Sequence, residues 1–574
     1  MTLFFDIETN GLLDEMTRVV CLSYSINGND PVTVHDPEGI VEVIQEMERA
    51  DKVVGHNILG FDIPALEKIF GPIDFKGCVR DTLVMSRLAY PEIRNAEIKT
   101  EAASIPVPTA LTNSHSLEAW GYRLGMHKDS FLSTEADFAN LKYSEDLRLY
   151  CEQDVRVTVA LFEWLDGLKF LNPDSVVLEH DFAQCIANQI RNGFEFDVKA
   201  ASVLYASLCE IRDGLTDRLR DIVPPTEIKL KTKVKYLPFN PSSRQQIAVA
   251  LKNLCNWEPT EFTPSGEAKV DETVLNSVDH PIAKMLVQYL TIVKRIGMLA
   301  EGEEAWLKVE KNGRIYGYVN HNGAVTGRCT HRGPNMAQVP ASHSPYGKEC
   351  RALFTARPGY SLVGVDASGL ELRCLAHYMA RHDDGEYAKE ILTGDIHTKN
   401  QHAAGLATRD QAKVFIYAFL YGAGPAKLGS IVGGGYPEGQ ALKSRFLKKI
   451  PALKALQDDI VMALEHRGFL IGIDGRALNA RSQHSALNTL LQSAGAIVMK
   501  QATVLMNRHL TNAGIDFRQV AHIHDEVQFE VRSDQARSAA SIVQEAIPEA
   551  GDVLGFRCPL AGEARVGKDW SETH

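Results

Sequence analysis

The sequence predicts a multidomain protein, α/β at its N-terminal end and α+β beyond, on three observations. Residues 1–70 alternate short apolar strands with amphipathic helices. Residues 174–307 run largely in a helical period. Residues 362–366 and 520–531 return to strand patterning on either side of a long helical stretch. A chain of 574 residues with 45% hydrophobic composition can build three or four cores.

Taken in order, strands are expected at 3–7, 19–26 and 32–35, a helix at 40–48, a strand at 52–57 and a helix at 61–70. Three strands on short turns, then alternating helix and strand, fit a mixed sheet of ribonuclease H-like type better than a wholly parallel one. A polar stretch at 91–114 reads as a surface loop, 143–165 as a helix, and Leu171-Asn172-Pro173 as a boundary. Long helical runs follow at 176–190, 198–222 and 282–307. Between them residues 228–236 alternate with period two, which would put Lys229, Lys231, Lys233 and Lys235 on one face of a single strand. That face either protects a sheet edge or meets a phosphate backbone. Further on, residues 362–365 form a buried strand ending in Asp366. Residues 520–531 form a hairpin turning at His524-Asp525-Glu526, and the interval 372–510 is a helical insertion between the two.

Net charge is −12 and the pI is near 5.9, so a wholly basic nucleic-acid-binding chain is excluded and any DNA contact must come from local patches. The ten cysteines show neither C-x-x-C pairs nor zinc-type histidine clustering and read as reduced core thiols. The N-terminus lacks a basic n-region, and no run approaches the ~20 apolar residues of a membrane span. The expectation is an intracellular protein without a membrane partner.

Two acidic sets carry the chemistry. Asp6 and Glu8, two apart on a strand, share a face; Tyr150 and Asp154, four apart on a helix, do the same; Asp62 follows Gly60 at a helix start. Acids converging without basic partners repel unless hard cations sit among them. Near the other end stand Asp366 and Asp525. Between them, Thr408 and Gln411 frame a capping box that starts a helix carrying Arg409, Lys413, Tyr417 and Tyr421 at four-residue intervals. Two cations one turn apart can grip the unreacting phosphates of a triphosphate, with the tyrosines placed for sugar and base.

Asp6-Ile7-Glu8, then Asn57-Ile58-Leu59-Gly60-Phe61-Asp62, then Tyr150-Cys151-Glu152-Gln153-Asp154 resemble the D-x-E, N-x-x-x-[FY]-D and Y-x-x-x-D pattern of DnaQ-type proofreading exonucleases. The resemblance implies 3′-5′ exonuclease activity, with Asp6, Glu8, Asp62 and Asp154 as metal ligands and Tyr150 orienting the attacking water. Asp366-Ala367-Ser368-Gly369-Leu370-Glu371-Leu372-Arg373, the Arg409 helix, and His524-Asp525-Glu526 resemble motifs A, B and C of family A, the DNA polymerase I-type enzymes. The likeness extends to the replicative polymerases of T-seven-like bacteriophages. Asn322-Gly323-Ala324-Val325-Thr326-Gly327-Arg328, Gly394-Asp395-Ile396-His397 and the segment around Asn488 and Gln492 look similar to that group.

This resemblance implies a right-hand polymerase: exonuclease domain 1–172, thumb 173–310, palm 311–371 and 511–574, and fingers 372–510. It assigns Asp366 and Asp525, with Ala367, to two magnesium ions that manganese could replace, and counts Lys413 among the catalytic residues. Arg409, Lys413 and His397 would hold the deoxynucleoside triphosphate. Glu371 would exclude a ribose 2′-hydroxyl, Tyr417 would favour dideoxynucleotide use, and Tyr421 would pack by the nascent pair. Arg328, Asn488, Gln492 and His524 would read minor-groove acceptors.

The implied partners are primer-template DNA, a helicase-primase and a single-strand-binding protein. The implied state is a monomer in the host bacterial cytoplasm. Only a short Pro224-Pro225 and lysine-rich segment stands where the phage enzymes carry a thioredoxin-binding insertion, so no thioredoxin is expected. The rival readings are a single-subunit RNA polymerase, which shares the R-x-x-x-K helix, and a catalytically silent DNA-binding scaffold.

Overall fold

The computed structural model describes residues 1–95, 98, 106–126, 139–229 and 234–573. Two compact units emerge: unit 1 comprises Met1–Arg191, Val319–Thr330 and Val365–Ala564, and unit 2 the segments Asn192–Tyr318, His331–Gly364 and Arg565–His574.

Unit 1 opens with a five-stranded sheet. Strands β1 (Thr2–Thr9), β2 (Val19–Ile26), β3 (Val32–Val34), β4 (Lys52–Gly55) and β5 (Cys78–Asp81) lie in the order β3-β2-β1-β4-β5. β1 runs antiparallel to β2 and parallel to β4. The mixed ribonuclease H-like sheet expected from the element order is therefore present, with β1 at its centre. The reading missed β5 and the helix after it; four residues on a sheet edge are too few to display a period. Helices α1 (Pro37–Arg49), α2 (Asp62–Phe70), α3 (Thr82–Ala89), α4 (Leu117–Leu124) and α5 (Glu145–Asp166) flank the sheet. Leu3, Phe5, Ile7 and Leu22 enter a core beneath α1 and α2; Phe4, Val54, Val155 and Leu161 enter a second core beneath α5. Helix α6 (Pro173–Asn192) follows the expected boundary.

The remainder of unit 1 holds most of a four-stranded sheet, with helices. Strand β6 (Tyr360–Ala367) reaches unit 1 at its Val365 end, then come β7 (Phe517–Ile523), β8 (Glu526–Arg532) and β9 (Gly562–Gly567), in the order β7-β8-β6-β9. Between β6 and β7 run α7 (Leu370–Asp383), α8 (Ile396–Ala404), α9 (Arg409–Leu420) and the long α10 (Gln483–Asn512), among other helices. The expected helical insertion is interrupted by a small hairpin, Leu470–Ile471 against Ala477–Leu478.

In unit 2, helices Val198–Ile222 and Pro281–Ile296 pack together, and Phe354–Thr355, Phe194–Phe196 and Arg314–Ile315 form a three-stranded sheet. Its core is aromatic: Phe194, Phe354 and Trp570 pack in tilted and edge-to-face contacts at centroid distances of 5.3–5.7 Å. The single lysine strand is corrected here. Thr226–Lys229 and Val234–Leu237 are two strands of an antiparallel hairpin, in which Lys235 lies opposite Ile228 and Lys229 opposite Val234. Opposed residues share a face and successive ones alternate, so Lys229 and Lys235 project from opposite faces. Lys231 and Lys233 lie outside the described residues. The cysteines are all unpaired thiols, but Cys78, Cys209, Cys255 and Cys329 are only half-buried, a correction to the expectation that all ten sit in the core. No helix among the described residues is long and apolar enough to cross a membrane.

Candidate active sites

Asp6 and Glu8 of the first acidic set come together on β1. Asp6 and Glu8 pair across the strand with Ser23 and Cys21 of β2, and Cys151 of α5 completes a group whose ligand atoms all lie within 4.8 Å of one another. Cys151 Sγ sits 3.5 Å from the main-chain oxygen and from Oδ2 of Asp6. The sequence reading missed this thiol, although it lies within the quoted Tyr150–Asp154 motif. Asp62, at the first turn of α2, accepts a hydrogen bond from Ile7 N at 3.3 Å, which ties α2 to the centre of β1. Burial pushes the Asp62 carboxyl up to about 8 against that hydrogen bond, and the charges of Asp81 and Glu8 add to the rise. Asp154, buried, and Tyr150 lie one turn apart on α5. Hard oxygen donors crowded until one carboxyl holds its proton fit a divalent cation, which would relieve the repulsion.

A buried carboxylate that the motifs did not mark holds this site together. Asp81 accepts from Asn57 N at 2.8 Å and Leu59 N at 3.1 Å, and caps α3 through Leu83 N at 2.9 Å. It thereby fixes the loop in which Asn57 takes a left-handed φ of 63° ahead of Asp62. Asp81 N in turn donates to His180 Nε2 at 2.8 Å.

The second set assembles where β6 and β8 end side by side. Ala367 N donates to the main-chain oxygen of Asp525 at 3.1 Å, so residues 366 and 525, 159 positions apart in sequence, stand on neighbouring strand ends. The hairpin turn is tighter than expected: Glu526 already pairs with Ile523, and His524 takes a φ of 58°. A cleft of about 130 Å³ is lined here by Arg328, Glu371, Tyr421, Gly495, His524 and Asp525. Tyr421 Oη donates to Glu371 Oε1 at 2.9 Å. Burial and the nearby Glu371 carboxylate raise the Asp525 carboxyl, while His524 and Arg328 draw it back.

The capping box is realised, with Thr408 Oγ1 accepting from Gln411 N at 3.2 Å. Arg409, Lys413 and Tyr417 lie along α9, whereas Tyr421 is its C-cap residue, one step past the helix, because the Gly422 turn ends it. His397 of α8 has its ring 6.4 Å from that of Tyr417, and its pKa is lowered by burial and by Arg409 and Lys413. Arg409 grips Asp395 through two hydrogen bonds of 2.7 and 3.2 Å, a pairing the reading missed although Asp395 lies beside His397 in the quoted segment. Asn488 and Gln492 lie one turn apart and half-buried on α10, the helix that brings Leu491 and Gly495 to the cleft.

Residues 212–572 match the profile described as DNA polymerase family A, and residues 3–166 that of the RNase_H superfamily. The DNA-directed DNA polymerases of Enterobacteria phage T3 and Escherichia phage T7 are each 36% identical to the chain, covering 99% of it and 99% of their own length. DNA polymerase I of Aquifex aeolicus is 25% identical over 99% of the chain and 96% of its own. Among solved structures, the POL domain of Pol1 from M. smegmatis, in complex with DNA primer-template and dNTP, superposes with a TM-score of 0.77 at 17% identity, covering 99% of this chain and 95% of that one.

Proposed function

The chain belongs to DNA polymerase family A, and we propose that its two carboxylate sites run opposite reactions on one DNA 3′ end. It is a DNA-directed DNA polymerase with an RNase H superfamily domain, which sets aside the RNA polymerase and scaffold readings. The observation that supports this site assignment is the Ala367–Asp525 main-chain hydrogen bond, which brings the backbone at residues 366 and 525 onto neighbouring strand ends, beside a cleft lined by Asp525.

A pair of divalent cations, magnesium or in its place manganese, supplies charge stabilisation for the attacking and departing oxygens. Asp366, Ala367 and Asp525 would hold these ions at the cleft, and Asp6, Glu8, Asp62 and Asp154 would hold them on β1. Lys413 and Arg409, one turn apart on α9, take the triphosphate with His397, and the Lys413 ammonium offsets charge on the leaving pyrophosphate. The triphosphate competes with Asp395 for the Arg409 guanidinium. Glu371, held by Tyr421, fills the space of a ribose 2′-hydroxyl; Tyr417 stands where a sugar 3′-hydroxyl would be. Arg328, Asn488, Gln492 and His524 meet the minor-groove edge of the primer end. In the β1 site Tyr150 orients a water toward the terminal phosphodiester.

We assign residues 1–172 to the exonuclease, 173–310 to a thumb, 311–371 and 511–574 to a palm, and 372–510 to fingers. Lys231, Lys233 and one of the oppositely facing pair Lys229 and Lys235 are proposed backbone contacts. The partners are primer-template DNA, a helicase-primase and a single-strand-binding protein, without thioredoxin; the enzyme works as a monomer in the cytoplasm of the bacterial host. Primer extension from paired and mismatched 3′ ends, with and without magnesium, tests this reading. Paired ends should be extended, mismatched ends trimmed first, and neither should change without the metal; extension with no trimming would remove the β1 assignment.

A further inference from the structure

The polymerase motifs account for Arg328 but not for what holds it. Glu179 of α6 is completely buried, and three partners from distant segments converge on its carboxylate. Lys500 of α10 approaches Oε1 at 2.6 Å, His321 donates to Oε1 from Nδ1 at 2.8 Å, and Arg476 donates to Oε2 at 2.9 Å. Arg476 is itself held by Asp474 at 2.8 Å. Two acids and two cations balance, and the imidazole stays neutral because burial brings His321 down to about 4. Lys500 Nζ lies 5.2 Å from the ring centre of Phe182, which shares an apolar core cluster with Leu178, Val319 and Ile497. Charges so enclosed are stable only with every partner in place.

Each partner leads to the polymerase cleft. His321 begins the turn that ends at Arg328, and the turn is closed by Gly323 N donating to the Arg328 oxygen at 3.1 Å and by Gly327 N donating to the Ala324 oxygen at 2.8 Å. Arg476 lies directly under that turn: a Cβ at Gly327, where φ is +78°, would stand 2.9 Å from Arg476 Nη1. Lys500 lies on the helix that carries Asn488 and Gln492. One carboxylate therefore fixes the base of the Arg328 turn and the α10 helix in a common frame.

We infer that Glu179 is a positioning residue of the polymerase site, aiming Arg328 at the minor-groove edge of the primer terminus through His321 and Arg476. This rests on the minor-groove role proposed for Arg328. The experiment measures kcat/KM for extending a primer ending in guanine against one whose terminal guanine has carbon in place of N3, which deletes the minor-groove acceptor. Hydrolysis of a single-stranded 3′ end by the same preparations counts folded enzyme. The native enzyme should lose about tenfold on the carbon substitution, as expected for a good side-chain contact to a base, and Arg328→Ala should lose almost nothing.

Glu179→Gln and His321→Leu should resemble Arg328→Ala, with a loss below about threefold, while retaining hydrolysis. His321→Leu leaves Glu179 paired with Lys500 and Arg476, so it decides the matter alone should Glu179→Gln not fold. Full sensitivity in Glu179→Gln and His321→Leu, with Arg328→Ala insensitive, would overturn the positioning role. Full sensitivity in Arg328→Ala would instead overturn the reading of Arg328, and the inference with it.

Discussion

At the β1 site, burial and the anionic neighbours Asp81 and Glu8 push one carboxyl up to about 8; at the β6–β8 site, burial and Glu371 also raise Asp525, but His524 and Arg328 pull it back. Both sites seat carboxylates at the centre of a sheet. The first concentrates negative charge and, in the proposed reading, would be completed by cations from solution. The second brings its own positive groups, as a site must if it is to receive an anionic triphosphate as well as metal. A trimming site receives one charge per phosphodiester and no triphosphate, so it has less need of its own cations.

Separate chemistry at the two sites gives the largest expected effect. Asp525→Ala should lower extension by about 10³-fold or more while leaving 3′ hydrolysis, and Asp6→Ala should do the reverse; gel assays of both activities on both variants check it. Loss of both activities in either variant would mean the two sites are not independent.

Tyr417→Phe should lower dideoxynucleotide incorporation relative to deoxynucleotide by roughly 10- to 100-fold, the worth of one hydrogen bond in a desolvated site. Single-turnover incorporation of each nucleotide measures the ratio, and an unchanged ratio would remove Tyr417 from the sugar position.

The charge contrast predicts a pH effect that is largest at the β1 site. Asp62 is raised from an ordinary 3.8, so its protonated form favours the fold. That contribution is complete below about pH 4 and is lost as pH climbs toward 8. Metal-free protein should therefore melt lower at pH 8 than at pH 6, by roughly 5 °C. Asp62→Asn should flatten the trend, and magnesium should restore the native protein at pH 8. Melting curves that are parallel with and without the substitution would show that the crowding of acids has no energetic consequence.

The smallest effect concerns unit 2. Lys229 and Lys235 face opposite ways, so only one should touch a given DNA backbone. Lys229→Ala or Lys235→Ala, but not both, should reduce the salt slope of DNA binding by about 1. Equal reductions would favour two strands of DNA gripped by the hairpin.

Much of both sites was legible because metal and phosphate chemistry restricts residue types and because period two and period four put the chosen side chains on common faces. Asp6 with Glu8, Arg409 with Lys413, and the Thr408–Gln411 cap are local arrangements, and local backbone geometry delivers them. The lysine segment shows the limit: period two persists through a chain reversal, so alternation could not distinguish one strand from a hairpin.

The sequence by itself determined most of the element order, the composition of the two acidic sets and the family that carries them, since each depends on residues close in the chain or on motifs in fixed order. Only the tertiary structure decided that Cys151 joins Asp6 and Glu8, that Asp81 anchors the Asn57 loop, that Asp395 holds Arg409, and that Glu179 gathers His321, Arg476 and Lys500. A buried charge takes whichever partners packing brings within reach, and those partners lie up to 321 positions away.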